Sequence, residues 1–204
     1  MTRSYRRRPT ISRPRDLLLT AGFLFLLILM AARLDPSGED ASLSGPFRVI
    51  DGDTLAHGSE RLRLSGIDAP ELMQTCRRTD GSEWPCGRAA KDSLGELMRD
   101  GQARGAAPEC HGAAMDQYRR RLVTCTINGD NLNGRMVRDG YAIGTGLLTF
   151  RREQSLAEAE RVGIWSGTFE TPRAYRQRMD AAAENKDMRD IWLKLKEMLA
   201  LHWL

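Results

Sequence analysis

The sequence predicts an α+β domain in which a small, closed or nearly closed β barrel carries helices packed against it. Two observations support this prediction. Short segments of alternating apolar and polar residues come first in the domain, and segments with apolar residues at helical spacing follow them. The resulting order is a short β-meander, a helix, further strands and two more helices, which fits a barrel with helices on its surface.

The strand signals begin at Phe47. Three short β segments follow one another there, and the first two are separated by Asp51-Gly52-Asp53. An Asp-Gly turn between alternating segments is typical of a β-hairpin. Two more strands are expected on either side of a turn near Asp116, the second at residues 121–127.

Three helices are predicted to pack on these strands. The first ends near Asp100-Gly101, the second is short and is stopped by Gly140, and the third spans roughly residues 150–162. The apolar positions that define the first two are Ala90, Leu94, Leu97, Met98, Leu132, Met136 and Val137. A five-stranded barrel of the oligonucleotide-binding (OB) type with three packed helices has this order, although periodicity alone does not single it out.

The N-terminus, residues 1–32, has the layout of an export signal. Six arginines and one aspartate precede residues 17–32, which carry no charge. This apolar run is shorter than the roughly 20 residues of a typical bilayer span. Two alternatives stay open: a cleaved signal peptide, or an uncleaved anchor in the inner membrane. Both place the rest of the chain in the periplasm or outside the cell.

Beyond residue 32 the composition predicts three further segments. Residues 33–45 are polar and rich in Gly, Ser and Asp, so they are expected to be a linker before the domain at residues 46–170. The tail, residues 171–204, is predicted to be an amphipathic helix. It would dock on the barrel, pair with another copy or lie on a membrane surface.

The charge of the domain gives no evidence for nucleic-acid binding. The formal charge of the whole chain is +4. However, 25 of the 31 basic and 26 of the 27 acidic residues lie beyond residue 32, so the exported part is nearly neutral.

All four cysteines lie in the exported part, and no histidine or C-x-x-C spacing accompanies them as in a zinc site. Two disulfides formed in an oxidising compartment are therefore expected, with buried free thiols as the alternative. Three pairings are possible. Cys76–Cys86 and Cys110–Cys125 are favoured, because the second pair flanks a predicted β-hairpin.

Acidic residues next to an arginine form the candidate site. Asp53 follows the first tight turn and Asp68 ends a nearby strand, with Glu71 three residues later. Carboxylates that share a site repel one another unless a cation is present, and oxygen ligands favour Ca²⁺ or Mg²⁺. Arg63 lies in the strand that leads to Asp68. A guanidinium beside a carboxylate-bound cation is suited to binding phosphate.

Several separated sequence blocks resemble the staphylococcal nuclease, or thermonuclease-like, family. They are VIDGDT at residues 49–54, RLSGIDAPE at 63–71, CGRAAKDSL at 86–94, DQYRRRL at 116–122, LNGRMVRDGYA at 132–142 and GIWSG at 163–167. The resemblance covers about residues 47–170 and is greatest for the exported bacterial branch with paired cysteines.

This resemblance implies the five-stranded OB barrel and a Ca²⁺-dependent endonuclease that hydrolyses DNA or RNA. Its implied metal ligands are Asp53, Asp68 and the backbone carbonyl of Ala69. Glu71 corresponds to the residue that activates or orients the attacking water. Arg63 and Arg120 correspond to the two phosphate-binding arginines.

The resemblance also implies that Tyr118 contacts the substrate, and two positions depart from the family pattern. Arg119 replaces a glycine, and because an arginine resists positive φ, the hairpin before Arg120 is expected to be rearranged. Gly146 lies near a position where the family has a base-stacking tyrosine, so weaker nucleotide affinity or a different substrate preference is expected.

Three hypotheses about function follow. The first is a Ca²⁺-dependent phosphodiesterase acting on DNA or RNA outside the cytoplasm. The second is a non-catalytic module that binds nucleic acid or a protein on the same barrel. The third is a membrane-tethered assembly protein whose C-terminal helix is the functional part. The acidic cluster favours the first, because binding alone does not require a metal-holding group of acids.

Overall fold

The computed structural model describes residues 14–33, 42–146 and 148–200. The chain divides into two compact units, residues 1–39 and residues 40–204. In the first unit, α1 (Pro14–Arg33) contains the apolar segment 17–32. None of the helices in the described ranges is long and apolar enough to cross a membrane. The arginine-rich start and most of the predicted linker lie outside the described residues.

The described residues of the second unit form twelve short strands and four α-helices. Its strands are β1 (Ser42–Ser44), β2 (Arg48–Val49), β3 (Thr54–His57), β4 (Glu60–Leu64), β5 (Ile67–Asp68), β6 (Cys76–Arg78), β7 (Glu83–Trp84), β8 (Glu109–His111), β9 (Arg121–Ile127), β10 (Asp130–Asn131), β11 (Ile143–Gly144) and β12 (Gly167–Thr168). Its helices are α2 (Cys86–Ala103), α3 (Leu132–Arg138), α4 (Arg151–Glu160) and α5 (Pro172–Ala200), with a 3-10 turn at Gly163–Ser166.

The main sheet runs in the order β1-β8-β9-β4-β3-β2, and β10 also pairs with β9. All its pairings are antiparallel except that of β4 with β9, which is parallel. Two small sheets, β11-β5 and β12-β6-β7, complete the strand pairing of the described residues. The α+β prediction is confirmed: a curled mixed sheet forms an OB-like half-barrel, and α2, α3 and α4 pack on it or on one another.

Strand β1 differs from the sequence interpretation. Residues 42–44 belong to the stretch predicted to be linker, yet they pair with β8 along its full length. An edge strand of this kind is held by backbone hydrogen bonds, so its side-chain composition carries little signal.

One apolar core fills the curl of the sheet. Leu62 and Leu64 of β4 are fully buried in it, and Leu94, Met136 and Val137 reach it from the helices. Because successive side chains of a strand point to opposite faces, burial of Leu62 and Leu64 directs Arg63 to the other face. The core thereby positions the candidate site.

Both predicted disulfides are confirmed. Cys110 and Cys125 face each other across β8 and β9. Cys76 of β6 is bonded to Cys86, the first residue of α2. Cys76, Cys86 and Ile164 form a second, smaller core, with Trp84, Ile143, Trp165 and Phe169 packed against it.

Among the described side chains of helix α5, those that pack on the domain lie near its start. Pro172 is buried and the residues from Ala174 to Arg176 are half-buried, whereas the side chains from Gln177 to Trp192 are exposed. A helix is therefore present in the predicted tail, and its first turns lie next to the candidate site.

Candidate active site

Two buried aspartates share one arginine. Nη1 of Arg63 donates to Oδ1 of Asp53 over 2.8 Å, and Nη2 donates to Oδ1 of Asp68 over 2.7 Å. Both carboxylates are almost fully buried, with side-chain exposures of 6% and 7%. The turn before β3, strand β4 and strand β5 thus bring together three of the residues that the sequence predicted.

Further hydrogen bonds fix Asp53. The Thr54 hydroxyl donates to its Oδ1, and the backbone N–H of Ala69 donates to its Oδ2 over 3.1 Å. Its own backbone N–H donates to Asp51, which holds the turn. Ala69 and Asp53 are both predicted metal ligands, and the backbone of Ala69 therefore lies against the carboxylate of Asp53.

Burial raises the pKa of Asp53 to about 6, although Arg63 opposes this effect. Burial also lowers the pKa of Arg63, but Asp53 and Asp68 outweigh that effect and raise it above its ordinary value. One guanidinium therefore does not fully compensate the buried carboxylates. Their oxygen atoms, converging from two strands, have the chemistry that a hard divalent cation prefers.

Glu71 lies at the edge of this group on a tightly held loop. The buried amide of Gln74 accepts a hydrogen bond from the Glu71 N–H and donates another to the Glu170 carbonyl. A Cβ on Gly87 would overlap the Glu71 carbonyl, so only glycine fits there. Gln74 and Gly87 therefore position Glu71, and the sequence analysis did not identify either of them.

Arg120 lies in a turn organised by Asp116. The Asp116 carboxylate accepts from the backbone N–H of Tyr118, the backbone N–H of Arg120 and the Arg120 side chain. The Arg120 guanidinium lies 5.3 Å from the ring centroid of Tyr118, whose side chain is exposed. Burial raises the pKa of Asp116, but the hydrogen bonds that it accepts from Arg120 and Tyr118 together outweigh burial and lower that pKa.

Arg119 keeps the backbone that a glycine would adopt. Its φ is +61°, and the bonds from Asp116 hold the turn closed around it. The arginine thus adopts the positive φ that its side chain disfavours, and the expected rearrangement of the hairpin relative to the family stays a prediction. The next arginine, Arg121, pairs instead with Glu60 over 2.6 Å. Arg120 and Arg121, although adjacent in the sequence, therefore have different acidic partners.

A cavity of about 900 Å³ joins these groups. Four predicted site residues line it: Arg63, Glu71, Tyr118 and Arg120, while Asp53, Asp68 and Ala69 are not part of its lining. In all, five arginines and three acidic residues line the cavity: Arg61, Arg63, Arg120, Arg173, Arg176, Glu71, Asp116 and Asp180. Positive charge is therefore concentrated here in a nearly neutral domain.

Gly146, the second position that departs from the family pattern, lies outside the lining of this cavity. Gly146 has a φ of +97° and Tyr141 packs against the main core, and neither lines this cavity. Tyr118 is thus the aromatic residue of the cavity wall.

Arg176, a residue of α5 that bonds to the site carboxylates, was not predicted from the sequence. Its Nη1 donates to Oε1 of Glu71 over 2.6 Å and to Oδ1 of Asp68 over 3.2 Å. Its Nη2 donates to Oδ2 of Asp68 over 3.0 Å. Burial lowers the pKa of Arg176, but the hydrogen bonds to Asp68 and Glu71 outweigh it and raise that pKa. No local pattern distinguishes this arginine from others in the tail.

Arginines pair with both aspartates that the sequence predicted to be metal ligands. Among the described residues, no group of three or more histidine, cysteine, aspartate or glutamate side chains is arranged to hold a metal ion. Asp53 and Asp68 supply suitable oxygens, and Arg63 and Arg176 already engage them. The donor chemistry fits a hard cation, provided that at least one guanidinium gives way.

Comparison with known proteins agrees with this geometry. The family model described as staphylococcal nuclease homologue matches residues 61–167. The succinoglycan biosynthesis protein ExoI of Rhizobium meliloti (strain 1021) is 28% identical over 152 residues, which cover 72% of this chain and 75% of that protein. The matched family segment includes Arg63, Asp68, Glu71 and Arg120 and ends before Arg176. Because it spans more than half of the 204 residues, the chain belongs to the staphylococcal nuclease homologue family.

Proposed function

We propose that this protein is a Ca²⁺-dependent phosphodiesterase that hydrolyses DNA or RNA outside the cytoplasm. The observation that carries the proposal is the cavity in which Arg63, Glu71 and Arg120 lie around one space, with two buried aspartates directly behind Arg63. Family membership supports a nuclease, and the two disulfides support an oxidising compartment.

The charge of the cavity supports an anionic substrate. Five arginines in its wall attract a phosphodiester backbone, and Tyr118 offers an exposed ring on which a base can stack. The described residues identify neither a particular base nor a contact to a sugar 2′-hydroxyl, so the proposal covers both DNA and RNA.

The chain's own residues can accept a proton and stabilise the negative charge that develops during hydrolysis. Glu71 takes or orients the proton of the attacking water, a role that contributes on the order of 10²–10⁴-fold. Arg63 and Arg120 donate hydrogen bonds to the non-bridging oxygens, where negative charge increases in the transition state. Arg120 also lies on the side of the cavity formed by the Asp116 turn, from which it can stabilise the leaving oxygen.

Asp53, Asp68 and the carbonyl of Ala69 are the proposed ligands of the cation. When bound, it polarises the phosphate and lowers the pKa of a coordinated water. The elevated pKa of Asp53 supports this assignment, because a carboxylate buried without sufficient positive charge is stabilised by a cation.

The test is a cleavage assay on the purified full-length protein. Single-stranded DNA, double-stranded DNA and RNA are each incubated with Ca²⁺ or with a chelator. Cleavage that the chelator abolishes is expected, and the Arg63→Ala variant should lack it. Calcium-dependent binding without cleavage would instead favour a non-catalytic binding module. Cleavage that persists in the chelator would contradict the proposed metal dependence.

A further inference from the structure

Helix α5 places a positive charge where the proposed cation site requires its ligands to be free. Arg176 forms hydrogen bonds with both oxygens of Asp68 and with one oxygen of Glu71. A single guanidinium thus engages a proposed metal ligand and the proposed proton acceptor at once. Neither carboxylate can perform its proposed role fully while these bonds remain.

The charges in the site also disfavour binding of the cation while Arg63 and Arg176 are both in place. Asp53, Asp68 and Glu71 supply at most three negative charges, and Arg63 and Arg176 supply two positive ones. Adding a dication with both arginines in place would leave an excess of positive charge. Exchange of Arg176 for the cation would restore the balance, because Arg63 alone with a dication matches three carboxylates.

The surroundings of Arg176 allow such an exchange. Its side chain is 40% exposed, whereas that of Arg63 is 17% exposed and lies within the sheet. From Gln177 onward the described side chains of α5 are exposed. Arg176 can therefore leave through rotation of its side chain or movement of the first turns of α5, while Arg63 is held by β4.

We propose that Arg176 is an internal competitor for the cation: it occupies Asp68 and Glu71 in the metal-free protein and must withdraw before the cation binds. This autoinhibitory contact rests on the proposed function and adds a regulatory role for α5. Its consequence is thermodynamic. The apparent association constant for the cation equals the intrinsic constant multiplied by the fraction of molecules in which Arg176 has withdrawn.

The experiment measures Ca²⁺ binding to full-length, metal-free protein by isothermal titration calorimetry. Arg176→Gln should bind Ca²⁺ at least about tenfold more tightly than the parent, because charge-assisted hydrogen bonds no longer have to be broken. Arg176→Lys should fall between the two, since an ammonium group lacks the planar fork that reaches both carboxylates. Arg173→Gln is the matched control: it removes the same charge from the same helix and cavity, and its affinity should stay close to that of the parent.

Thermal unfolding supplies a second readout that does not depend on catalysis. Without Ca²⁺, Arg176→Gln should melt at a lower temperature than Arg173→Gln, because Asp68 loses a partner. With Ca²⁺, its melting temperature should rise by more than that of the parent.

The outcomes separate this inference from the proposed function. If the parent binds Ca²⁺ and Arg176→Gln binds it equally or more weakly, the competition is refuted while the nuclease proposal is retained. If neither protein binds Ca²⁺, the cation assignment and the competition both fail.

Discussion

The guanidinium of Arg176 lies 2.6 Å from the carboxylate of Glu71. The two residues are 105 positions apart in the chain, and one is at the start of a helix while the other is on a loop after β5. The backbone N–H of Glu71 donates to the side chain of Gln74, and its carboxylate accepts from Arg176 on the cavity side. The backbone of Glu71 and one oxygen of its carboxylate are thus held by residues from two other parts of the chain.

Glu71→Gln should abolish most phosphodiester cleavage while preserving the fold. The amide keeps a similar shape and can still bond to Arg176, but it cannot accept the proton of water. We expect kcat to fall by about 10²–10⁴-fold, with a change in unfolding free energy below about 1 kcal/mol, because the lost ion pair is half exposed. Glu83→Gln, at an exposed residue paired with Arg77, is the control and should keep parental kcat. A Glu71→Gln enzyme with parental turnover would remove Glu71 from the mechanism.

The two neighbouring arginines Arg120 and Arg121 should behave differently. Arg120 lines the cavity, so Arg120→Ala is expected to lower kcat by about 10²–10³-fold through loss of transition-state stabilisation. Arg121 pairs with Glu60, and Arg121→Ala should cost at most about 1 kcal/mol of stability and leave kcat near that of the parent. Steady-state kinetics and urea denaturation of both variants check this. A greater loss of kcat in the Arg121 variant would show that Arg121, and not Arg120, acts on the substrate.

Replacing Arg119 by glycine should stabilise the protein. Arg119 has a φ of +61°, and a residue with a Cβ is strained there, while glycine is not. Part of the gain is offset because glycine increases the entropy of the unfolded chain. We expect a net increase of about 0.5–1 kcal/mol in the free energy of unfolding. Arg119→Ala keeps the strain and serves as the comparison; if it is as stable as Arg119→Gly, the turn is not strained.

The elevated pKa of Asp53 predicts how stability depends on pH without calcium. Its pKa rises from 3.8 in its ordinary state to about 6 in the fold, so between these values the folded protein binds more protons than the unfolded chain. Stability contributed by this group is therefore fully present below about pH 4 and is lost as pH rises through about 6. The loss should be on the order of 2–3 kcal/mol.

Asp53→Asn isolates this effect, because its other titrating groups are the same as in the parent. Arg63 and Asp51 are the charged residues that act on Asp53, and both remain in the variant. Urea denaturation at several pH values from 4 to 7, in the presence of a chelator, gives the two profiles. The difference between them should change across this range; a constant difference would show that Asp53 titrates normally.

Much of the fold was predictable from local signals. Leu62 and Leu64 alternate with Arg61 and Arg63, and that period indicated both the strand and the face that carries the arginine. The hydrophobic spacing around Leu94 indicated α2. The edge strand Ser42–Ser44 was not predictable, because backbone pairing with β8 holds it and Leu43 is its single apolar side chain.

The candidate site was predictable to a similar degree. Asp53, Arg63 and Asp68 lie within sixteen residues of one another, and the sequence placed them on adjacent strands that the structure brings into contact. Arg119 shows where a local rule is insufficient. The side-chain preference against positive φ was correct as a local rule, but the hydrogen bonds made by Asp116 hold the turn despite it.

The sequence by itself predicted the fold class, favoured the two disulfide pairs that form, and identified residues 49–71 as a candidate site, because each depends on spacing along a short stretch of chain. Only the tertiary structure decided that Gln74 and Gly87 position Glu71, and that Arg176 occupies the carboxylates of Asp68 and Glu71. Such contacts join residues from distant segments through packing, which leaves no periodic pattern in the sequence.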